Sequence, residues 1–196
     1  MPITGDGNDV IMDAEGRNKL KFGVGIDRTM VKVVPYGMDL VVKIGNGGES
    51  VRIVDWFKDG ANKLSEILFA DGTTWGKTDI DGKIRLLRGT EGADTLDGSA
   101  MADLLLGEDG DDTIDGKEGD DSLIGGKGND TLQGGAGDDS YIWNPGDGND
   151  TLHDVDGANV LQIGDGIDPS RVEVRRDGDS LVLVFLQTGE KLDFTD

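Results

Sequence analysis

The sequence predicts a mainly β protein: a short-period parallel solenoid flanked by antiparallel, strand-rich modules. The first observation is an Asp at every ninth position, Asp94, Asp103, Asp112, Asp121, Asp130 and Asp139. Two residues after each stands a large side chain: Leu96, Leu105, Ile114, Leu123, Leu132 and Tyr141. Five residues before each stands a Gly: Gly89, Gly98, Gly107, Gly116, Gly125 and Gly134. A unit this short cannot be a domain and has the wrong period for a helix; one turn plus one short strand, stacked in layers, fits it. Beta-branched and aromatic runs punctuated by turn residues lie on either side, and they read as ordinary strands.

In chain order, residues 1–85 form a strand-rich module with runs at Met30–Pro35, Leu40–Ile44 and Val51–Phe57. Ile67–Trp75 adds a strand, an Asp71-Gly72 turn and an aromatic anchor. No long amphipathic helix is evident, and Ala61–Leu68 offers at most one short helical turn. Residues 86–154 hold the nonapeptides. Residues 155–196 are strand-rich again, with runs at Val172–Arg175, Leu181–Phe185 and Lys191–Phe194 and a hairpin turn at Asp177-Gly178.

Charge explains the Asp. Gly89 to Asp154 carries eighteen acidic against two basic residues, most of the chain's formal excess of −21. Strands stacked about 4.8 Å apart line those carboxylates into a repelling ladder. A hard cation offsets this, and Ca²⁺ suits best, taking about six to eight carboxylate and carbonyl oxygens in tolerant geometry. Mg²⁺ demands a tighter octahedron. A disordered acidic linker matches the composition, but it does not predict a hydrophobe held in register with Asp through six repeats.

These residues resemble the RTX (repeats-in-toxin, haemolysin-type) calcium-binding family, whose consensus is GGxGxDxUx with U a large hydrophobe. Gly125–Leu132 and Gly134–Tyr141 match at every defined position. Gly107–Asp115 and Gly116–Ile124 lack only the second Gly, Gly89–Asp97 is looser, and Gly98–Leu106 carries Met101 at the fourth position. The resemblance implies a parallel β-roll with two repeats per coil and several Ca²⁺ ions between loops on the same side. It assigns the ions to the six repeat Asp residues. With them go Gly107, Gly110, Gly116, Gly119, Gly125, Gly128, Gly134 and Gly137, whose backbone can approach an ion. The pairs Asp94/Asp112, Asp112/Asp130, Asp103/Asp121 and Asp121/Asp139 are expected to share ions. A non-Gly residue is strained at positive φ, so Met101 is expected to weaken the Asp103/Asp121 site. Asp147 and Asp150, after an eleven-residue step, are expected to bind metal and cap the roll. The Asp55–Phe57 and Phe69–Trp75 stretches resemble the domain often found beside such repeats.

A longer repeat lies beneath the short one. Gly5–Asp9 recurs as Gly146–Asp150 at an offset of 141, and without a gap 21 of the 51 pairs from Gly5 to Asp55 are identical. The chain reads as one period of an array plus a copy of its beginning, hence a segment of a larger protein. The N-terminal loop Gly5–Asp9 has no acidic repeats before it and is expected to bind calcium weakly. The second copy is expected to leave a strand edge open, which allows head-to-tail contact between chains.

Composition excludes several classes. The acidity opposes broad contact with nucleic acid or anionic membrane, and no apolar run is long enough to span a bilayer. There is no Cys, so no disulfide or thiolate zinc site forms. The lone His153 rules out a multi-His centre. Carboxylate pairs such as Asp111/Asp112 mimic a glycosidase dyad, but their repetition points to metal. EF-hand-like stretches at Asp79–Gly82 and Asp154–Gly157 fail, because Lys77 and Leu152 fall at the first ligand position. No enzyme is expected. The resemblance implies a secreted, extracellular calcium-folded module from a Gram-negative bacterium, exported with its parent by the type I machinery. The alternative is a carbohydrate-binding or adhesive unit, which an exposed row of Trp56, Trp75 and Trp143 would support.

Overall fold

The structure, a computed structural model, describes residues 8–11, 18–45, 48–58, 64–154 and 156–195. The chain forms two compact units, Met1–Ile84 and Arg85–Asp196. Gly5, Asp6 and Gly7 of the N-terminal loop, and Ala61–Lys63 of the expected helical turn, lie outside the described residues.

Unit 1 contains β1 (Asn8–Ile11), β2 (Asn18–Lys21), β3 (Val31–Tyr36), β4 (Asp39–Ile44), β5 (Glu49–Ile53), β6 (Leu64–Leu68), β7 (Thr74–Gly76) and α1 (Lys77–Asp81). Its sheets run β1-β5-β4-β3 and β2-β6-β7. Strands β3 and β4 form a hairpin because Gly37 supplies positive φ at the turn between Tyr36 and Asp39. Asp39 is buried there. It accepts from Arg52 Nε (2.5 Å) and from the Asp55 N–H (2.5 Å), which holds the start of the Asp-Trp-Phe motif at φ 57° and turns Trp56 into the core.

The short helical turn expected within Ala61–Leu68 is instead β6. Leu64 and Ile67 are both buried, a three-residue spacing that reads as helical in sequence. A bulge produces it: Asn18 pairs Leu64 and Lys19 pairs Glu66, so Ser65 is the extra residue and the alternation changes phase. The helix lies further on, at Lys77–Asp81. The Asp79 carboxylate accepts the Gly76 N–H (2.8 Å), and Ile80 is fully buried.

Unit 2 contains β8 (Ile84–Arg88), β9 (Thr95–Ser99), β10 (Ala102–Asp109), β11 (Thr113–Glu118), β12 (Ser122–Lys127), β13 (Thr131–Ala136), β14 (Ser140–Trp143), β15 (Asp150–His153), β16 (Val160–Ile163), β17 (Val172–Asp177), β18 (Ser180–Phe185) and β19 (Lys191–Thr195). Its two sheets run β16-β14-β12-β10-β8 and β17-β18-β19-β15-β13-β11-β9. Strands pair with the next but one, in parallel: Leu105 opposite Leu123 opposite Tyr141, and Leu96 opposite Ile114 opposite Leu132. This is a parallel β-roll with two nonapeptides per coil. The repeat hydrophobes from Leu105 to Tyr141 are buried between the sheets, and Leu96 packs against them. Each buried Leu or Ile contributes about 1.5–3 kcal/mol towards stacking the coils.

Asp147 and Asp150 do not cap the roll. Strand β15 pairs with β13 on one edge and with β19 on the other, and β16 continues the second sheet beyond β14. The strands of 155–196 thus lie on the same two sheets as the repeats. Trp143 stacks on Phe185 at 4.1 Å between ring centroids, joining roll and hairpin in one core.

Candidate metal centre

Folding the 18-residue coil brings the repeat Asp residues into two columns. In one, Asp94 N–H donates to Asp112 Oδ1 (2.7 Å), Asp112 N–H to Asp130 Oδ1 (2.8 Å) and Asp130 N–H to Asp150 Oδ1 (2.9 Å). In the other, Asp103 N–H donates to Asp121 Oδ1 (2.7 Å), Asp121 N–H to Asp139 Oδ1 (2.8 Å) and Asp139 N–H to Asn159 Oδ1 (2.8 Å). The structure therefore places each expected Asp pair in adjacent layers. It also extends the columns to Asp150 and Asn159, each twenty residues on because the intervening loops are longer.

In Asp112, Asp121, Asp130 and Asp139 one oxygen is spent on the neighbouring layer and the other is the informative one. Asp103, which opens its column, accepts no such bond, and its Oδ1 is buried without a partner. Asp112, Asp121, Asp130 and Asp139 are 1–2% exposed, and the Oδ2 atom of each is buried without a hydrogen-bond partner. An unpartnered buried carboxylate oxygen costs several kcal/mol, of the order that only a cation or a proton offsets. Burial, followed by neighbouring carboxylates, pushes Asp121 up to about 8 and Asp130 and Asp139 to about 6. Burial and the charge of Asp130 raise Asp150 to about 7, and burial raises Asp112 and Asp147. Burial disfavours an uncompensated carboxylate there, a cost that a proton or a cation relieves.

The remaining donors are main-chain carbonyls. A Cβ placed on Gly107 would overlap both Asp112 Oδ2 and the Gly125 carbonyl oxygen. One on Gly116 would overlap Asp121 Oδ2 and stand 2.6 Å from the Gly134 carbonyl oxygen. Oxygens thus converge on a cradle that only Gly leaves open. Gly110, Gly119, Gly128 and Gly137 act differently: each sits at positive φ against the backbone of the preceding layer, where any Cβ would collide. Among the described residues no three His, Cys, Asp or Glu side chains converge on one point. The donor set is carboxylate plus carbonyl oxygen, which fits Ca²⁺ and is wrong for thiophilic or imidazole-seeking metals.

The first coil and the ends of the columns depart from this pattern. Asp94 Oδ2 accepts from Thr90 N–H (2.6 Å) and Oγ1 (2.8 Å), and Asp103 Oδ2 from Ser99 N–H (2.6 Å) and Oγ (3.0 Å). Such hydroxyl-closed turns need no left-handed residue. Met101 is not at positive φ, so the strain expected of it is absent. Glu108 (φ 82°) and Lys117 (φ 79°) carry positive φ instead at the second position of their repeats, where the next coil has Gly126 (φ 98°) and Gly135 (φ 103°). Asp147 Oδ2 is held by Asn144 N–H (2.6 Å) and Nδ2 (3.1 Å). At the far end of one column the Tyr141 hydroxyl accepts Gly134 N–H (2.7 Å) and donates to Asp154 Oδ2 (2.5 Å), standing beside Asp139. Burial and Asp154 raise the phenol well above its usual range, so it stays a donor. Sequence reasoning missed Thr90, Ser99, Tyr141 and Asn159 as members of the ladder. The Asn18/Asn159 identity in the long repeat was the available signal for the last.

The aromatic residues are anchors. Trp56 and Trp143 are buried, and Trp75 packs edge-on against Phe69 under the Lys83 ammonium. Among the described residues no helix is long and apolar enough to cross a membrane.

Comparison with known proteins agrees with this geometry. The RTX calcium-binding nonapeptide repeat family matches residues 3–28, 88–123 and 115–142, and the haemolysin-type calcium binding protein related domain matches residues 39–79. No curated protein matches the chain. Among solved structures, extracellular lipase LipA from Serratia marcescens aligns with a TM-score of 0.51 at 17% identity, covering 96% of this chain and 32% of that one. At that identity the likeness shows the fold alone, and the chain spans about a third of the lipase's length. The repeat family is mainly non-catalytic, and what is shared with the lipase is the β-roll. With its nonapeptide repeats, its associated domain and its two-repeat coil, the chain is an RTX calcium-binding repeat protein.

Proposed function

We propose that the chain is a calcium-binding structural module of a larger secreted protein, and that its roll folds when Ca²⁺ binds after export. The observation that carries this is the set of buried carboxylate oxygens without a hydrogen-bond partner: Oδ2 of Asp112, Asp121, Asp130 and Asp139, and Oδ1 of Asp103. Asp112 with the Gly125 carbonyl, and Asp121 with the Gly134 carbonyl, would hold two ions. Asp94 beside the Gly107 carbonyl and Asp103 beside the Gly116 carbonyl would hold two more once Thr90 and Ser99 yield. Asp130 with Asp150, and Asp139 with Asn159, supply the last layers. Ca²⁺ neutralises the columns and lets the hydrophobic stripe stack; without it, self-repulsion opposes the compact state. Extracellular modules of this kind bind at about 10⁻⁴ to 10⁻³ M, above cytosolic free calcium, so the chain stays unfolded until it leaves the cell. Export would run through the type I machinery of a Gram-negative host. The module itself is no enzyme in this reading, and any activity belongs elsewhere in the parent. The buried Trp56 and Trp143 support structure over a sugar-stacking adhesive role.

Circular dichroism in chelator and in millimolar calcium tests the proposal. The repeat block should be largely unstructured in chelator and β-rich in calcium, with some structure in the flanking strands either way. Identical spectra would refute it.

A further inference from the structure

The 141-residue offset is a repeat of structure, register for register. Asp9 pairs Val51 as Asp150 pairs Leu192; Val31 pairs Ile44 as Val172 pairs Phe185; Leu40 pairs Ile53 as Leu181 pairs Phe194. The two copies differ in cover. In unit 1, β2 pairs in parallel with β6, Phe22 N–H donates to the Leu68 carbonyl (2.9 Å), and Phe22 packs on Phe69 at 5.7 Å. In unit 2 the counterpart of β2 is β16, an edge strand whose single partner among the described residues is β14.

The free edge of β16 is the one β2 uses for β6. Val160 and Gly164 donate to β14 and its flank, at Asp139 and Trp143. The equivalent of Phe22 is Ile163, one residue out of phase with these donors, so its N–H points to the opposite edge. The side chains carry the same contrast. Phe22 is 0% exposed and Ile163 is 36%; Leu40 is 0% and Leu181 is 47%; Val33 is 4% and Val174 is 65%. Beside this edge lies an open cavity of about 420 Å³ whose lining mixes apolar side chains (Leu152, Leu161, Leu181, Phe194) with polar ones, Asp154 and Asp179 among them.

We propose that this face docks a strand–hairpin–helix segment of the Leu64–Ile84 kind, its first strand added in parallel to the free edge of β16. Leu161 would oppose the residue equivalent to Ile67, as Leu20 does in unit 1. Strand addition at an exposed edge satisfies the unpaired N–H and C=O groups, and the apolar side chains at Ile67, Phe69 and Ile80 in such a segment fill the open face. The occupant is thus a further repeat of this chain's own covering element, and the inference stands on the repeat register rather than on calcium binding.

The test is a chain carrying a second copy of residues 56–84 directly after Asp196, the equivalent of Asp55, studied in saturating calcium. The melting temperature should rise by several degrees. Amide exchange at Leu161 and Ile163 should slow by about tenfold or more. Ile67→Asp with Phe69→Asp in the added copy alone should abolish both effects and leave the parent fold intact. An added segment that remains unprotected, with no change in melting, would overturn the proposal. So would sedimentation of the unextended chain as a dimer with β16 amides already protected, since a second copy of the same face would then be the occupant.

Discussion

Asp121 is the position where removing one charge should cost most. Its Oδ1 accepts the Asp103 N–H at 2.7 Å, its Oδ2 is unpartnered, and the residue is 1% exposed. Asp121→Asn keeps an acceptor for the Asp103 N–H, as Asn159 does for Asp139, but removes the anionic ligand. A unit charge about 4 Å from a cation is worth about 4 kcal/mol per cation charge at an effective dielectric of 20. Relief of repulsion from Asp103 and Asp139 returns part of that. A net loss of about 2–4 kcal/mol lowers affinity by about 30- to 1000-fold at the ions Asp121 serves. Asp121→Ala should cost a further 1–3 kcal/mol or so in folding, because the buried Asp103 N–H then has no partner. Asp94→Asn should cost less, since Asp94 is more exposed and Thr90 already satisfies its Oδ2. Isothermal calcium titration reads the affinity and number of ions, and melting in saturating calcium reads the fold. Equal losses at Asp94 and Asp121, or an Asp121→Asn protein that titrates like the parent, would refute the reasoning.

Other perturbations follow from the same ladder. In chelator the roll should gain stability as pH falls: Asp121 titrates near 8 and Asp150 near 7 in the folded state against about 4 unfolded. The folded state holds the extra protons, so that contribution is complete below about pH 4 and lost as pH rises through about 8; a pH-independent melt in chelator would contradict it. Glu108→Gly and Lys117→Gly each relieve a positive φ, and chemical denaturation should show a gain of about 0.5–1 kcal/mol apiece, since the ion pairs they lose are exposed. Tyr141→Phe leaves the Gly134 N–H and Asp154 without their partner and should cost about 1–3 kcal/mol in a calcium melt.

The roll was legible because its signal is redundant: Asp, hydrophobe and Gly recur in one register, and no other fold satisfies all three. The β17–β18 hairpin was legible from the β-rich runs on either side of Asp177-Gly178; at Gly37 the flanking strands were legible but their turn was not read. What stayed hidden depended on irregularity. The bulge at Ser65 gave a strand a helical spacing. The twenty-residue steps to Asp150 and Asn159 broke the ninefold count, so Asp150 read as a cap and Asn159 was not read as part of the column at all. The closure of the first coil by Thr90 and Ser99 is a hydrogen-bond pattern that consensus matching treats as mere deviation. Met101 is not at positive φ, whereas Glu108 and Lys117 are, at the repeat position where the next coil has Gly126 and Gly135.

The central claim is that the unpartnered carboxylate oxygens are calcium ligands. Anomalous scattering from crystals grown in calcium tests it most directly. Peaks should stand between Asp112 Oδ2 and the Gly125 carbonyl, and between Asp121 Oδ2 and the Gly134 carbonyl. An ordered roll with no anomalous density at those two positions would contradict the account.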